Sequence, residues 1–209
     1  PMIGILGMSE ILEEQLQQEE QKQYNCIIQS SGQNLLTTIN NILDFTKIES
    51  GKMPLEQLPF DLPKLLNELS KHYQPSLQES NIQFNLDVAK NYPLVVMGDP
   101  TRIKQIVANL LENACKNGSN GHIKISLDYL ANGDTQLTIC DKYTHSESFK
   151  NTLAAQSLNN FDTTPDDIGL SLTLCQQLSS LMGGHMTIDN DQQEGVCTTI
   201  TLPLALANA

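Results

Sequence analysis

The chain has 209 residues, 39% of them hydrophobic, and a formal charge of −12 at pH 7. This composition suffices for one large soluble domain or two small ones, and no apolar run approaches the roughly eighteen residues a membrane span needs; no signal peptide is expected either. The acidic balance excludes nucleic acid as a direct partner, because phosphate backbones select clustered Lys and Arg.

Residues 1–52 contain no internal proline and predict two helices that break near residues 15–18. Met2, Ile5, Leu12 and Leu16 follow steps of three and four residues on the first helix, with Ser9 filling the missing place. Ile28, Leu35, Ile39, Ile42 and Leu43 do the same on the second. A hairpin with one such seam is too narrow to be stable alone, so pairing with a second copy into a four-helix bundle is expected.

Gly51, Pro54 and Pro59 mark a connector over residues 53–60. A helix over about 61–78 and a strand over 81–88, alternating through Ile82, Phe84, Leu86 and Val88, come next. In the following helix Ile103, Ile106, Val107, Leu110, Leu111 and Ala114 form one apolar face. Asn109, Asn113 and Lys116 share a strip beside it. Two carboxamides and an ammonium in line can coordinate magnesium through oxygen and steady its phosphates. Taken alone, the same strip also fits an ordinary solvated helix face.

An antiparallel pair is expected from Ile123, Ile125 and Leu127 on one strand and Leu137 and Ile139 on the other, with a tight-turn signal at Asn132-Gly133. A polar segment over 141–164 leads to a helix through Leu170, Leu174, Leu178 and Leu181, ended by Gly183-Gly184. Strands near 185–190 and 196–202 complete the sheet. All twelve Lys and Arg lie at or before Lys150, so residues 151–209 carry six acids and no basic Lys or Arg. The five cysteines, 26, 115, 140, 175 and 197, are scattered and include no CxxC pair, which predicts neither a zinc site nor a disulfide framework, and a reducing compartment. Helices layered on a sheet give an α+β domain behind the hairpin.

Three segments in order carry a family resemblance. Gly98-Asp99-Pro100-Thr101-Arg102, followed by Gln105, Asn109-Leu110, Asn113-Ala114 and Lys116, resembles the N box of sensor histidine kinases, the dimeric enzymes of two-component signalling. Residues 34–62 resemble the second dimerisation helix and connector of that family, and residues 178–204 its closing helix, hairpin and last strand. The resemblance covers nearly the whole chain and is nearest to hybrid sensor kinases of the BarA, GacS and RetS kind. It implies a two-helix dimerisation hairpin over 1–52, a connector over 53–60, and over 61–209 an α/β sandwich of the histidine-kinase, gyrase and Hsp90 ATP-binding type. It also implies a cytoplasmic piece of a membrane-bound sensor, without membrane contact of its own.

The family pattern makes Asn113 the magnesium ligand, Asn109 the neighbour of the γ-phosphate and Lys116 a phosphate contact. The aromatic residue usual after that lysine is Asn117 here, which predicts loss of a base-stacking contact of about 1–3 kcal/mol. In the family's D-x-G-x-G motif the aspartate reads the adenine amino group; Asp141 persists, but Tyr143 and His145 replace both glycines and predict occlusion. The phosphate loop G-x-G-L-G-L appears as Asp167, Gly169-Leu170 and Ser171-Leu172, keeping only the middle glycine. Thr164-Pro165-Asp166-Asp167 forms a helix start whose acids occupy the amides that would greet a triphosphate. ATP and magnesium are thus the implied cofactors, with weak or absent binding expected.

Pro1 aligns with the proline of H-E-x-R-[TN]-P, so the reactive histidine would lie upstream of it, and the chain as given holds no catalytic residue. His72, His122, His145 and His185 lack that pattern. The readings are a signalling dimer with a compromised ATP site, pairing with another sensor kinase or a response-regulator receiver domain; a fully active autokinase; and, against the dimerisation segment, a non-kinase ATPase of the wider superfamily.

Overall fold

The computed structural model describes residues 1–13, 15–117, 121–142, 167–191 and 195–207. The chain divides into two compact units, Pro1–Ser50 and Gly51–Ala209.

In the first unit α1 (Met2–Glu13) and α2 (Glu19–Glu49) form a helical hairpin. The contact between them uses only part of the seam expected from periodicity, Ser9 and Met2. Ser9 Oγ donates to Asn25 Oδ1, and Asn25 Nδ2 returns a 2.9 Å bond to the Ser9 carbonyl, with both residues buried. Further along, Gly32 lets α1 come close: a Cβ there would stand 2.8 Å from Leu6 Cδ2. A polar pair and a glycine permit close approach, and each buried polar atom finds a partner. Most of the expected seam points elsewhere. Ile5, Leu12, Ile28, Leu35, Ile39, Ile42 and Leu43 are between 40% and 51% exposed.

The second unit is built on a five-stranded sheet of order β2-β4-β5-β7-β6, where β2 is Gln83–Val88, β4 His122–Tyr129, β5 Thr135–Lys142, β6 His185–Asp191 and β7 Gly195–Leu202. Among the described residues, α3 (Leu62–Glu79), α4 (Pro100–Asn117) and α5 (Asp167–Leu181) supply its cover. α3 starts at Asp61, whose Oδ1 accepts from the Lys64 amide at 2.8 Å. β2 and β4 run parallel, so the chain between them must cross over, and α4 is that crossover. β4 and β5 alternate buried and half-buried, with Ile123, Ile125, Leu127, Leu137 and Ile139 turned to the core. On the helices Leu66, Ile106, Leu111, Leu174 and Leu178 are likewise almost fully buried.

The β4–β5 connection is longer than a two-residue turn. Leu130 and Asp134 still pair, and Gly133 takes φ +91° between them, so Asn132-Gly133 closes a bulged turn. At the end of α5, Gly183 adopts φ +80° and the Gly184 amide reaches back to the Ser179 carbonyl at 2.9 Å, the glycine stop expected from sequence.

Two further features depart from expectation. A second sheet joins β1 (Leu58–Phe60), β3 (Val96–Gly98) and β8 (Ala205–Leu206), strands of two or three residues that are too short to show a period. Pro59 is tolerated there because β1 lies at the sheet's edge. Residues 53–60 are thereby tied into the second unit, with Met53 buried and the Glu56 amide donating to Asp99 Oδ2 at 3.0 Å. The other departure is a disulfide between Cys140 and Cys197, against the expectation of none. They are 57 residues apart in sequence, and only the β5–β7 register sets them opposite each other.

Candidate nucleotide site

The site grows from α4. Asp99, only 3% exposed, caps this helix by accepting from the Arg102 amide at 3.0 Å while its other oxygen holds Glu56. Anchored at its start, the helix buries Ile103, Ile106, Val107, Leu110, Leu111 and Ala114, the face periodicity assigned to the core. Asn109 and Asn113 follow on the adjoining strip, one turn apart.

α5 packs against that strip. Asn113 Nδ2 donates to Ser171 Oγ at 3.5 Å, and Cys175 Sγ donates to the Ile106 carbonyl at 3.8 Å. Burial pushes the Cys175 thiol up to about 12, with the neighbouring Asn109 carboxamide acting weakly in the opposite direction. It is therefore a packed, unreactive thiol. Asn109 is 7% exposed, and its Nδ2 meets no acceptor among the described residues. A buried donor without an acceptor costs about 1–3 kcal/mol, so this nitrogen marks where a ligand oxygen would be welcome.

Asp141 enters from β5, on the sheet face shared with Leu137 and Ile139. Burial pushes its carboxyl up from 3.8 to about 7, partly offset by the Val196 backbone amide that donates to it. Gly195 is needed beside it: with φ +89° and a Cβ that would stand 2.1 Å from the Asp141 carbonyl, no other residue fits.

The fold thus brings Asn109 and Asn113 against α5, and sets Asp141 on the helix-covered side of the sheet. Gly169 and Leu170 lie in the first turn of α5, and Leu170 is half-buried. Lys116 is on the last turn of α4, its side chain outside the described set, as is that of Asn117. Tyr143, His145 and residues 164–166 lie outside the described residues. Sequence reasoning treated Ser171 only as a lost glycine and missed it as a partner of Asn113; the i, i+4 relation of Ser171 and Cys175 was the available signal.

Carboxamide and carboxyl groups in this set match the donors and acceptors of an aminopurine and a magnesium-bound phosphate, and the unmet Asn109 donor supports that fit. No group of three side chains able to hold a metal alone occurs among the described residues, so a magnesium ion here would share its shell with phosphate and water.

Comparison with known proteins is consistent across sequence and structure. Residues 98–206 match the model of histidine kinase-, DNA gyrase B- and HSP90-like ATPases, and residues 1–51 match that of the His kinase A phospho-acceptor domain. The sensor protein GacS of Pseudomonas syringae pv. syringae is 33% identical over 99% of this chain and 24% of its own length. The chain therefore spans about a quarter of that relative. Among solved structures, full-length ShkA in complex with AMPPNP superimposes with a TM-score of 0.78 at 25% identity, covering 100% of this chain and 44% of that one. The histidine kinase ThkA in complex with the response regulator TrrA does so with a TM-score of 0.66 at 25% identity, over 97% of this chain and 57% of that one. No helix among the described residues is long and apolar enough to cross a membrane.

Proposed function

Since this chain belongs to the sensor histidine kinases, joining a phospho-acceptor segment to an ATPase-type domain, we propose that it acts as a dimeric signalling module of a two-component phosphorelay in which ATP binding is weakened. In this proposal residues 1–52 dimerise, 53–60 connect, and 61–209 form the nucleotide-binding domain. The module is the cytoplasmic part of a membrane-bound sensor. Asn109, Asn113, Lys116, Asp141, Gly169 and Leu170 line the nucleotide site, with Asn113 as magnesium ligand.

The observation that carries the weakened site is the Asn113–Ser171 contact. Where the family pattern has glycine, a buried hydroxymethyl group stands against the carboxamide that would hold the metal. The contact is made through Nδ2, so it fixes the orientation of the carboxamide whose Oδ1 would meet magnesium. The absence of Lys and Arg beyond residue 150 adds to this, since nothing cationic from that segment meets the phosphates.

Dimerisation is supported by the exposed ridge on α2. Leu35, Ile39, Ile42 and Leu43 repeat at three- and four-residue steps and stand 40% to 50% exposed, a stripe that a second copy would cover. A receiver domain or a second sensor kinase is the further partner, by analogy with the ThkA complex.

The unmet Asn109 donor favours a second reading, a fully active autokinase whose phosphoacceptor histidine lies upstream of Pro1. Calorimetric titration with ATP and magnesium separates the two. The weakened site gives dissociation constants near 1 mM or weaker. Tight, magnesium-dependent binding that Asn113→Ala abolishes would restore the active kinase.

A further inference from the structure

Cys140 and Cys197, opposed on β5 and β7, form part of a row that crosses four strands. Lys124 on β4 is opposite Cys140, and Asp189 on β6 is opposite Cys197. Cross-strand neighbours set their Cβ atoms about 5 Å apart, so the two cysteines are flanked by a basic residue on one side and an acidic residue on the other. Lys142, two residues beyond Cys140, shares its face of β5. Lys124 is held on that face by Asp87, at 3.7 Å from Nζ. The row lies on the side of the sheet turned away from Ile139 and Val196. Cys140 is 9% exposed, whereas Cys197 is half-buried and the easier sulfur to reach.

We infer that Cys140 and Cys197 form a reversible thiol–disulfide centre, opened by exchange with a dithiol reductant. One thiolate of the dithiol attacks Cys197 Sγ. The bond between the two cysteines breaks, and its electron pair leaves on Cys140 Sγ, opposite the Lys124 ammonium. The second thiolate of the reductant then attacks the mixed disulfide and releases Cys197. The dithiol ends as a disulfide, oxidised by two electrons; both cysteines are reduced and take up the two protons the dithiol lost. A disulfide oxidant such as oxidised glutathione reverses every step.

Three observations favour exchange over a permanent staple. One sulfur is accessible, and accessible disulfides are the labile ones. The leaving sulfur has a basic cross-strand neighbour, Lys124, and a nearby positive charge favours a departing thiolate. The bond also lies on the face of the strands turned away from the core residues Ile139 and Val196. Its neighbours give it reach: Asp141 and Val196 are next in each strand and joined by the Val196 amide, so the link braces the strand pair that holds the buried carboxyl. None of this depends on the nucleotide proposal.

The full chain, equilibrated in glutathione redox buffers, alkylated and digested without reduction, tests the centre by mass spectrometry. A Cys140–Cys197 peptide pair is expected in oxidising buffer, lost and regained reversibly while circular dichroism stays native. Reduction should lower the thermal midpoint by about 5–10 °C, and Cys197→Ser should remain at the reduced value. Lys124→Gln should slow opening by dithiothreitol several-fold and Asp189→Asn should speed it, since the attacking thiolate is an anion. Alkylation of both cysteines as free thiols in oxidised glutathione would overturn the inference. So would a bond that dithiothreitol opens only after unfolding. Equal opening rates in wild type and Lys124→Gln would overturn the assigned direction of attack.

Discussion

Asp141→Asn tests how the second unit treats a buried carboxyl, independently of any ligand. Burial moves this group from 3.8 to about 7, so the folded protein holds the proton more tightly than the unfolded chain. Below about pH 4 both states are protonated and the contribution to stability is fully present. As pH rises through about 7 the folded form must carry a desolvated anion, and that contribution is lost. A rise of about three units, at ~1.36 kcal/mol each, sets an upper bound near 4 kcal/mol. Relaxation and water access around a half-buried residue reduce it to about 2–3 kcal/mol. Asn is close in shape, does not titrate, and keeps an oxygen for the Val196 amide. Urea unfolding of both proteins across pH 4 to 8 is the assay. The stability of the variant relative to wild type should rise by about 2–3 kcal/mol, most of it between pH 4 and 7, while other titrating groups cancel in the comparison. A relative stability that stays flat to within about 0.5 kcal/mol over that range would refute the reasoning.

Ser171→Gly removes the hydroxyl that engages Asn113 and should tighten magnesium-nucleotide binding about fivefold in calorimetry, in proportion to a released hydrogen bond of about 1 kcal/mol. No change would show that the contact does not limit the site. Leu35→Glu or Ile42→Glu places a charge on the exposed ridge of α2 and should give monomers in sedimentation without loss of helix content. Dimers persisting in both variants would contradict that interface.

Legibility in the sequence followed how local each signal was. α4 could be read residue by residue, because a 3.6-residue period over twelve residues survives packing: each apolar position assigned to its buried face is buried. The hairpin helices were legible in extent but not in contact. Heptad reasoning selects large apolar residues, yet the helices of one chain meet through Ser9, Asn25 and Gly32, leaving the apolar ridge outward. The small sheet was invisible because strands of two or three residues carry no alternation. Of the proposed site, Asn109, Asn113 and Asp141 could be nominated from motif residues, whereas the engagement of Asn113 by Ser171 spans 58 positions and depends on how α5 lies on α4.

Composition, period and motif order by themselves determined the class of this protein: a helical hairpin ahead of an α+β domain, with the asparagine pair on a half-buried helix. Those features depend on neighbours within one or two helical turns, and local chemistry is written directly in the chain. Tertiary structure alone decided the rest. A carboxyl near neutrality, a thiol beyond reach and two cysteines drawn together between Lys124 and Asp189 all depend on strand register and helix packing. These fix desolvation and cross-strand distance, quantities that sequence separation does not encode.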